Sequence, residues 1–207
     1  MFSVLFAPFL ISALSSPLIA QASTTDTFVA AHAQATSTQA LVPFYSQFKD
    51  ISSPKWQKVG CGIASLAMVL DFYSTSTPSV NSLLSQGIAL GAYSSDGWTY
   101  AGLIGLAKKY GVHGESRILY SLSGNSAFTK LEADLMSGPV VASVHYKFDP
   151  KNPIPHLVVV TKVEDGMVYY NDPAASGGNK KISIDTFIKS WKKRYLVLRP
   201  AQVSVLS

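Results

Sequence analysis

The sequence predicts an α+β fold with helices first and antiparallel strands second. Two observations carry this reading. Apolar residues at 63, 66, 67 and 70 recur at the helical period. From Pro139 onward, short Val- and Tyr-rich runs replace that period and read as strands. No internal repeat is visible, and segregated helices and strands are the α+β pattern. A chain of 207 residues is long enough for one domain with a full core.

The elements follow in order. Residues 1–22 carry no charged side chain, and Met1 to Ala20 is rich in Phe, Leu, Ile and Ala. Ala20-Gln21-Ala22 offers the small residues that a signal peptidase reads, so cleavage after Ala22 and a secreted or cell-envelope location are expected. Pro8 and Pro17 argue against a retained span, so no stable membrane span is expected after cleavage. Residues 23–40 are Thr-, Ser-, Ala- and Gln-rich and read as a flexible spacer. The folded unit is expected over 41–200.

Within it, Val42 to Gln47 reads as extended, with Pro43 suited to an edge. Ser52 to Lys55 reads as loop. Helices are predicted from Cys61 to Tyr73, Pro78 to Gln86, Trp98 to Tyr110 and Ser126 to Ser137. Gly111 is placed to close the third, and Ser126 to cap the fourth. Strands are predicted over Pro139 to Tyr146, Leu157 to Glu164, Met167 to Asp172 and Tyr195 to Arg199. A short helix, Ser183 to Trp191, precedes the last strand.

Charged residues make up 14% and the formal net charge is +5, which suits contact with an anionic surface. Lys180-Lys181 and Lys192-Lys193-Arg194 read as solvated faces. With no aromatic–basic alternation and no Gly-rich phosphate loop, a nucleic-acid or nucleotide function is not expected.

Cys61 is the single cysteine, so an internal disulfide is excluded and its value, if any, is chemical. It opens the first predicted helix in Gly60-Cys61-Gly62. Unpaired N–H groups and the positive dipole end favour an anion there, a thiolate included. Free cysteine is also often a small buried apolar residue. A nucleophilic thiol needs a base, and the base an orienting group. His32 lies in the spacer, His113 reads as a loop residue and His145 as structural. His156 follows Asn152-Pro153-Ile154-Pro155 and opens Leu157-Val158-Val159-Val160, a rigid mount for a base.

Asp172 or Asn171 could orient His156, and hairpin register decides between them. A two-residue Asp165-Gly166 loop places Asn171 on the His156 face. A three-residue Glu164-Asp165-Gly166 loop, or a bulge elsewhere in the hairpin, places Asp172 there. We expect Asp172, receiving the Nδ1–H of His156. An oxyanion needs donors. The Cys61 N–H can supply one, and Gln47 or Gln57 another. Gln47 is favoured because it ends an extended segment.

Val42-Pro43-Phe44-Tyr45-Ser46-Gln47, the Gly60-Cys61-Gly62 helix and His156 through Asn171-Asp172-Pro173-Ala174 together resemble the bacteriocin-processing, double-glycine leader peptidase-like family. The resemblance spans Leu41 to Pro200. It implies a papain-like fold, with the nucleophile helix packed on an antiparallel sheet. It implies Cys61 as nucleophile, His156 as base, Asp172 as orienter and a glutamine, Gln47, at the oxyanion. No metal or organic cofactor is implied. In transporter-linked members the glutamine lies closer to the cysteine than Gln47 does here. Those members also carry the domain in front of a membrane transporter, whereas the form expected here is secreted and stand-alone, so leader cleavage is not carried over. The expected activity is hydrolysis of a peptide or cell-wall peptide amide through a thioester. A non-catalytic peptide-binding module and a transglutaminase-like acyl transfer are the alternatives.

Overall fold

The computed structural model describes residues 41–74 and 76–201. The expected signal segment, spacer and His32 lie outside them. In chain order the elements are α1 (Pro54–Gln57), α2 (Cys61–Tyr73), α3 (Val80–Ala89), β1 (Tyr93–Ser94), β2 (Gly97–Trp98), α4 (Tyr100–Lys108), β3 (Val112–Ile118), α5 (Gly124–Leu135), β4 (Val140–His145), a 3-10 turn (Tyr146–Phe148), β5 (Pro155–Glu164), β6 (Met167–Asn171), β7 (Lys180–Ser183), α6 (Ile184–Ser190) and β8 (Trp191–Pro200). The last six strands form one antiparallel sheet of order β3-β8-β4-β5-β6-β7, and β1 pairs with β2 in a small hairpin.

The α2 helix is buried without a break from Gly62 to Leu70. A helix apolar on every side belongs inside a core. It packs on β5 on one side and on α3 and α4 on the other. Val141, Leu157, Val159, Leu196 and Leu198 join it from alternate positions of β4, β5 and β8. Their neighbours Val140, Ala142, Val144, Val158, Val160 and Tyr195 face a second cluster, with Phe128 and Leu131 of α5 and Phe187 of α6. The sheet is therefore covered on both faces, so β4 and β5 read as unbroken apolar runs. The sequence reading places helices against the sheet; the second cover, by α5 and α6, adds to that picture.

Several expected boundaries move for local reasons. Val42 to Gln47 takes no place in the sheet; it is an irregular extended segment. The carbonyls of Val42 and Pro43 accept from the Asn171 side-chain amide, at 3.1 Å each, instead of from a neighbouring strand. Ser52 to Lys55 is not all loop, because Pro54 opens the short α1, where a missing N–H costs nothing. Trp98 belongs to the β1–β2 hairpin, and Thr99 caps α4. Ser123, not Ser126, caps α5; the Ser126 N–H is the donor it receives. His113 stands exposed on strand β3 and not in a loop. Strands β3 and β7 were not expected, since their polar, half-exposed sequences carry little apolar alternation.

The β5–β6 hairpin turns through Asp165 and Gly166, with φ of 51° and 73°. Both central residues at positive φ make the two-residue primed turn that suits strand twist. Glu164 faces Met167, and Lys162 faces Tyr169. The register then shifts, so that Val160 faces Tyr170 and Val159 faces Asn171. Thr161 is the extra residue of a β-bulge, and its hydroxyl donates to the Tyr169 carbonyl at 3.2 Å.

Arg199 of β8 fastens the end of α5. Its guanidinium donates to the carbonyls of Asp134 (2.6 Å), Gly138 (3.0 Å) and Pro139 (2.8 Å), and to the Tyr73 hydroxyl. Arg199→Met leaves those helix-end carbonyls without their donor. The variant should lose on the order of 2 kcal/mol. In urea unfolding this is read as a lower midpoint at an unchanged m-value.

Candidate active site

Cys61 sits at the first position of α2, half-buried. Four other helices are capped by a Ser or Thr side chain, namely Ser79, Thr99, Ser123 and Ser183. The N-cap of α2 is Gly60, which has no side chain to offer. The first N–H groups of α2 therefore keep their capacity for an anion. Close packing explains the two flanking glycines. A Cβ on Gly60 would meet Ile51 and the Trp56 carbonyl, and one on Gly62 would meet Trp98 at 2.7–2.9 Å. Trp98 is itself held by its indole N–H, which donates to the Val59 carbonyl at 2.7 Å.

His156 lies near the start of β5 and is buried. Its Nε2 is 2.6 Å from Asp172 Oδ1. The ring is therefore used the other way round from the expected Nδ1 contact. Cys61, which lines the same cleft, also favours the charged ring. Tyr146 packs edge-on against the ring, with centroids 5.2 Å apart. That residue was not singled out in the sequence. It reaches the ring because the β4–β5 connection bends through Lys147 and Phe148 at φ of 58° and 54°.

The Thr161 bulge accounts for the choice of carboxylate. Beyond it Asn171 pairs with Val159, so the next residue, Asp172, falls on the side of His156. Asp172 Oδ1 also accepts from the Ala174 N–H at 2.8 Å. The Pro173 carbonyl accepts from the Gln47 N–H at 2.9 Å. Asn171 has a different occupation. Its amide grips Val42 and Pro43, and its oxygen accepts from the Asn179 N–H at 2.7 Å.

Gln47 is buried and lines the same cleft as Cys61 and His156. Its Nε2 donates to the Gln57 carbonyl at 2.7 Å, which fixes the amide orientation and leaves one of its two hydrogens for another acceptor. Gln57 is turned away from the cleft. Its side chain donates to the carbonyls of Phe48 and Ile51 and holds that turn together. His145 Nδ1 lies 2.8 Å from the Asn152 carbonyl, as a structural residue would.

The cleft has a volume of about 790 Å³. One wall is aromatic, with Tyr93 and Trp98 and their edge-on contact at 5.1 Å. The lining also includes Ser143, Tyr146, Lys192 and Arg194. Lys192 and Arg194 are therefore not the solvated face that their sequence suggests. Among the described residues no group of His, Cys, Asp and Glu is placed to hold a metal ion. No helix among them is long and apolar enough to cross a membrane.

Comparison with known proteins places the chain by family and fold. The model of the Peptidase_C39 like family matches residues 40–197. No curated protein matches the chain. Among solved structures, one similar chain is a double glycine motif protease from an AMS/PCAT transporter, in complex with its leader peptide. It is 27% identical, with a TM-score of 0.55, over 80% of this chain and 96% of that one. The peptidase domain of Streptococcus ComA, a bifunctional ABC transporter of a quorum-sensing pathway, is 22% identical with a TM-score of 0.57, over 78% and 100%. A protein described as a C39-like peptidase from Bacillus anthracis is 19% identical, with a TM-score of 0.57, over 78% and 95%. The last two show the shared fold.

Burial works against a charged His156, but the hydrogen bond to Asp172 and the interaction with Cys61 outweigh it, and the imidazole is pushed up to about 9 from 6.5. A raised value means that the charged ring stabilises the fold fully below about pH 6.5, and that this contribution is lost as pH rises through about 9. The His156 ring resonances should thus titrate near pH 9. Asp172→Asn should move that midpoint down, and the stability difference between the two proteins should shrink above it. A midpoint at the ordinary histidine value in the unaltered protein would show that the ring is neutral at rest.

Proposed function

The chain belongs to the Peptidase_C39 like family, and on that premise we propose that it is a cysteine peptidase acting through Cys61, His156 and Asp172. Family and fold support a cysteine-peptidase-type function at the coarser level. The observation that carries the finer reading is that one half-buried thiol at an uncapped helix start and one imidazole line a single cleft, with a carboxylate bonded to the imidazole.

The steps follow from the positions. The proton of the Cys61–His156 pair stands on the imidazole, whose raised value favours it there, and the sulfur it leaves behind attacks the carbonyl carbon of a peptide amide. The oxyanion accepts from the Cys61 N–H and from the unused amide hydrogen of Gln47. His156, an imidazolium held by Asp172, protonates the amine as the C–N bond breaks and a thioester forms. A water then gives its proton to His156, attacks the thioester and releases an acid and the free thiol. The substrate is a peptide, or a peptide of the cell wall. The similar protease that binds a leader peptide supports the peptide class. Double-glycine leader cleavage is left to that protein.

The location proposed is outside the cytoplasm, from the apolar segment before Ala22. Exported protein should begin at Ser23 when its N-terminus is sequenced, and recovery with Met1 in the membrane fraction would replace this with an anchored form.

A peptide-library digest compares the protein with Cys61→Ala, which should cleave nothing. Asp172→Ala should cost on the order of 10²-fold or more in kcat. Asn171→Ala should lower thermal stability, because it frees the segment at Val42 and Pro43, with a far smaller effect on kcat. Gln47→Ala should lose about 10²–10³-fold in kcat. If Cys61→Ala digests the library as the parent does, the peptidase reading falls and a binding module takes its place.

A further inference from the structure

The cleft is lined in part by β8, where two cations stand that the steps above leave unused. Strands β4 and β8 pair as Ala142 with Tyr195 and Val144 with Trp191. Three residues of β8, Lys192 to Arg194, therefore stand against Ser143 alone. Such a bulge redirects side chains and recurs beside functional sites. Lys193 in its middle takes a φ of 48°, unusual for a residue with a side chain. That conformation is held by its ammonium, which donates to the carbonyls of Tyr120 at 2.9 Å and Leu122 at 2.8 Å. The outcome is that Lys192 and Arg194 both line the cleft.

These two cations are left without counter-charges. Among the described residues neither forms an ion pair. The cleft carries one more cation, Lys58, against a single carboxylate, Asp96. Burial and the neighbouring Arg194 charge both hold Lys192 below the ordinary lysine range. Arg194 Nε is buried without a hydrogen-bond partner, and so is the hydroxyl of Tyr100, which lies beneath the guanidinium at 5.5 Å from ring to cation. The Ser143 hydroxyl stands beside that phenol without the geometry of a hydrogen bond. Buried donors without acceptors are rare, and each calls for an explanation. A bulge with a strained residue that holds such donors in the wall of a cleft marks a place for an acceptor.

We propose that Lys192, Arg194 and Tyr100 form a carboxylate subsite, which binds an acidic group of the peptide whose amide lies at Cys61. A carboxylate takes two guanidinium donors at once, and the phenol and ammonium fill its remaining lone pairs. The acidic group is a Glu or Asp side chain or the C-terminal carboxylate of a short peptide. The proposal rests on the peptidase reading for the position of the amide, but the subsite is testable without turnover.

The experiment uses matched peptides with Glu or Gln at each successive position, each with a free or an amidated C-terminus. Cleavage is followed with the parent protein, and binding to Cys61→Ala by calorimetry. One carboxylate should raise both kcat/KM and affinity by about tenfold or more, the size expected of charge-assisted hydrogen bonds. Glu favoured at one position identifies a side chain; a preference for the free end alone identifies the terminus. Arg194→Met should reduce the preference to about twofold, Lys192→Met and Tyr100→Phe should each reduce it in part, and Arg194→Glu should shift it toward Lys. The last three variants keep the test open if Arg194→Met does not fold. Equal binding of all members of a matched set, or a preference that survives the Arg194 and Lys192 variants, overturns the subsite. Cleavage without such a preference rejects the subsite and keeps the hydrolase. Carboxylate-dependent binding without cleavage keeps the subsite and rejects the hydrolase.

Discussion

The burial of α2 on every side is the constraint on which the rest depends. From Gly62 to Leu70 no residue of this helix reaches solvent to any extent. Burying such a helix needs a sheet on one side and helices on the other, which β5, α3 and α4 supply. Its start must then emerge at the edge of the layer, and the residue there, Cys61, is only half-buried. Ser65 donates to the Leu157 carbonyl across the same contact, at 3.3 Å. That contact fixes the helix start beside the opening of β5, where His156 stands. Cys61 and His156 come together through packing that neither of them provides.

What the sequence revealed follows the strength of each local signal. The α2 boundaries were legible because Ile63, Leu66, Ala67 and Leu70 keep the helical period and Gly60 stands just before it. The strands β4 and β5 were legible because both faces are covered and the runs Val140 to Ala142 and Leu157 to Val160 are wholly apolar. Strands β3 and β7 were not, since they stand at the two edges of the sheet and bury few of their side chains. The Ser126 cap was misread by one turn, because Ser123 and Ser126 have the same chemistry and only the backbone path tells which is outside the helix. Tyr146 left no signal, since its contact with His156 depends on two positive φ angles that Lys147 and Phe148 do not announce.

The charge balance around the thiol also follows from what is missing. A serine at position 60 could cap α2 as Ser79 or Ser123 cap their helices, but the space beside Gly60 is taken by Ile51 and Trp56. The helix start is therefore left without a side-chain cap beside the thiol. Asp172 on the far side of His156 completes the arrangement. Removing its charge would leave a buried ring without the interaction that most favours its proton.

The two irregularities of the β4–β5–β6–β8 ladders argue the same point from the backbone. The Val-rich centres of β4 and β5 have no local reason to depart from register. Yet β5 departs at Thr161, and β8 departs at Lys192 to Arg194. The first departure changes which of two adjacent residues, Asn171 or Asp172, meets His156. The second turns two cations into the cleft. A bulge costs ladder hydrogen bonds, and here side chains repair part of that loss: the Thr161 hydroxyl bonds Tyr169, and the Lys193 ammonium bonds Tyr120 and Leu122. In a sheet otherwise regular across its centre, both bulges act on residues of one cleft. A register fault that served packing alone would have no reason to favour that place, so the bulges are best understood as part of how the site is built.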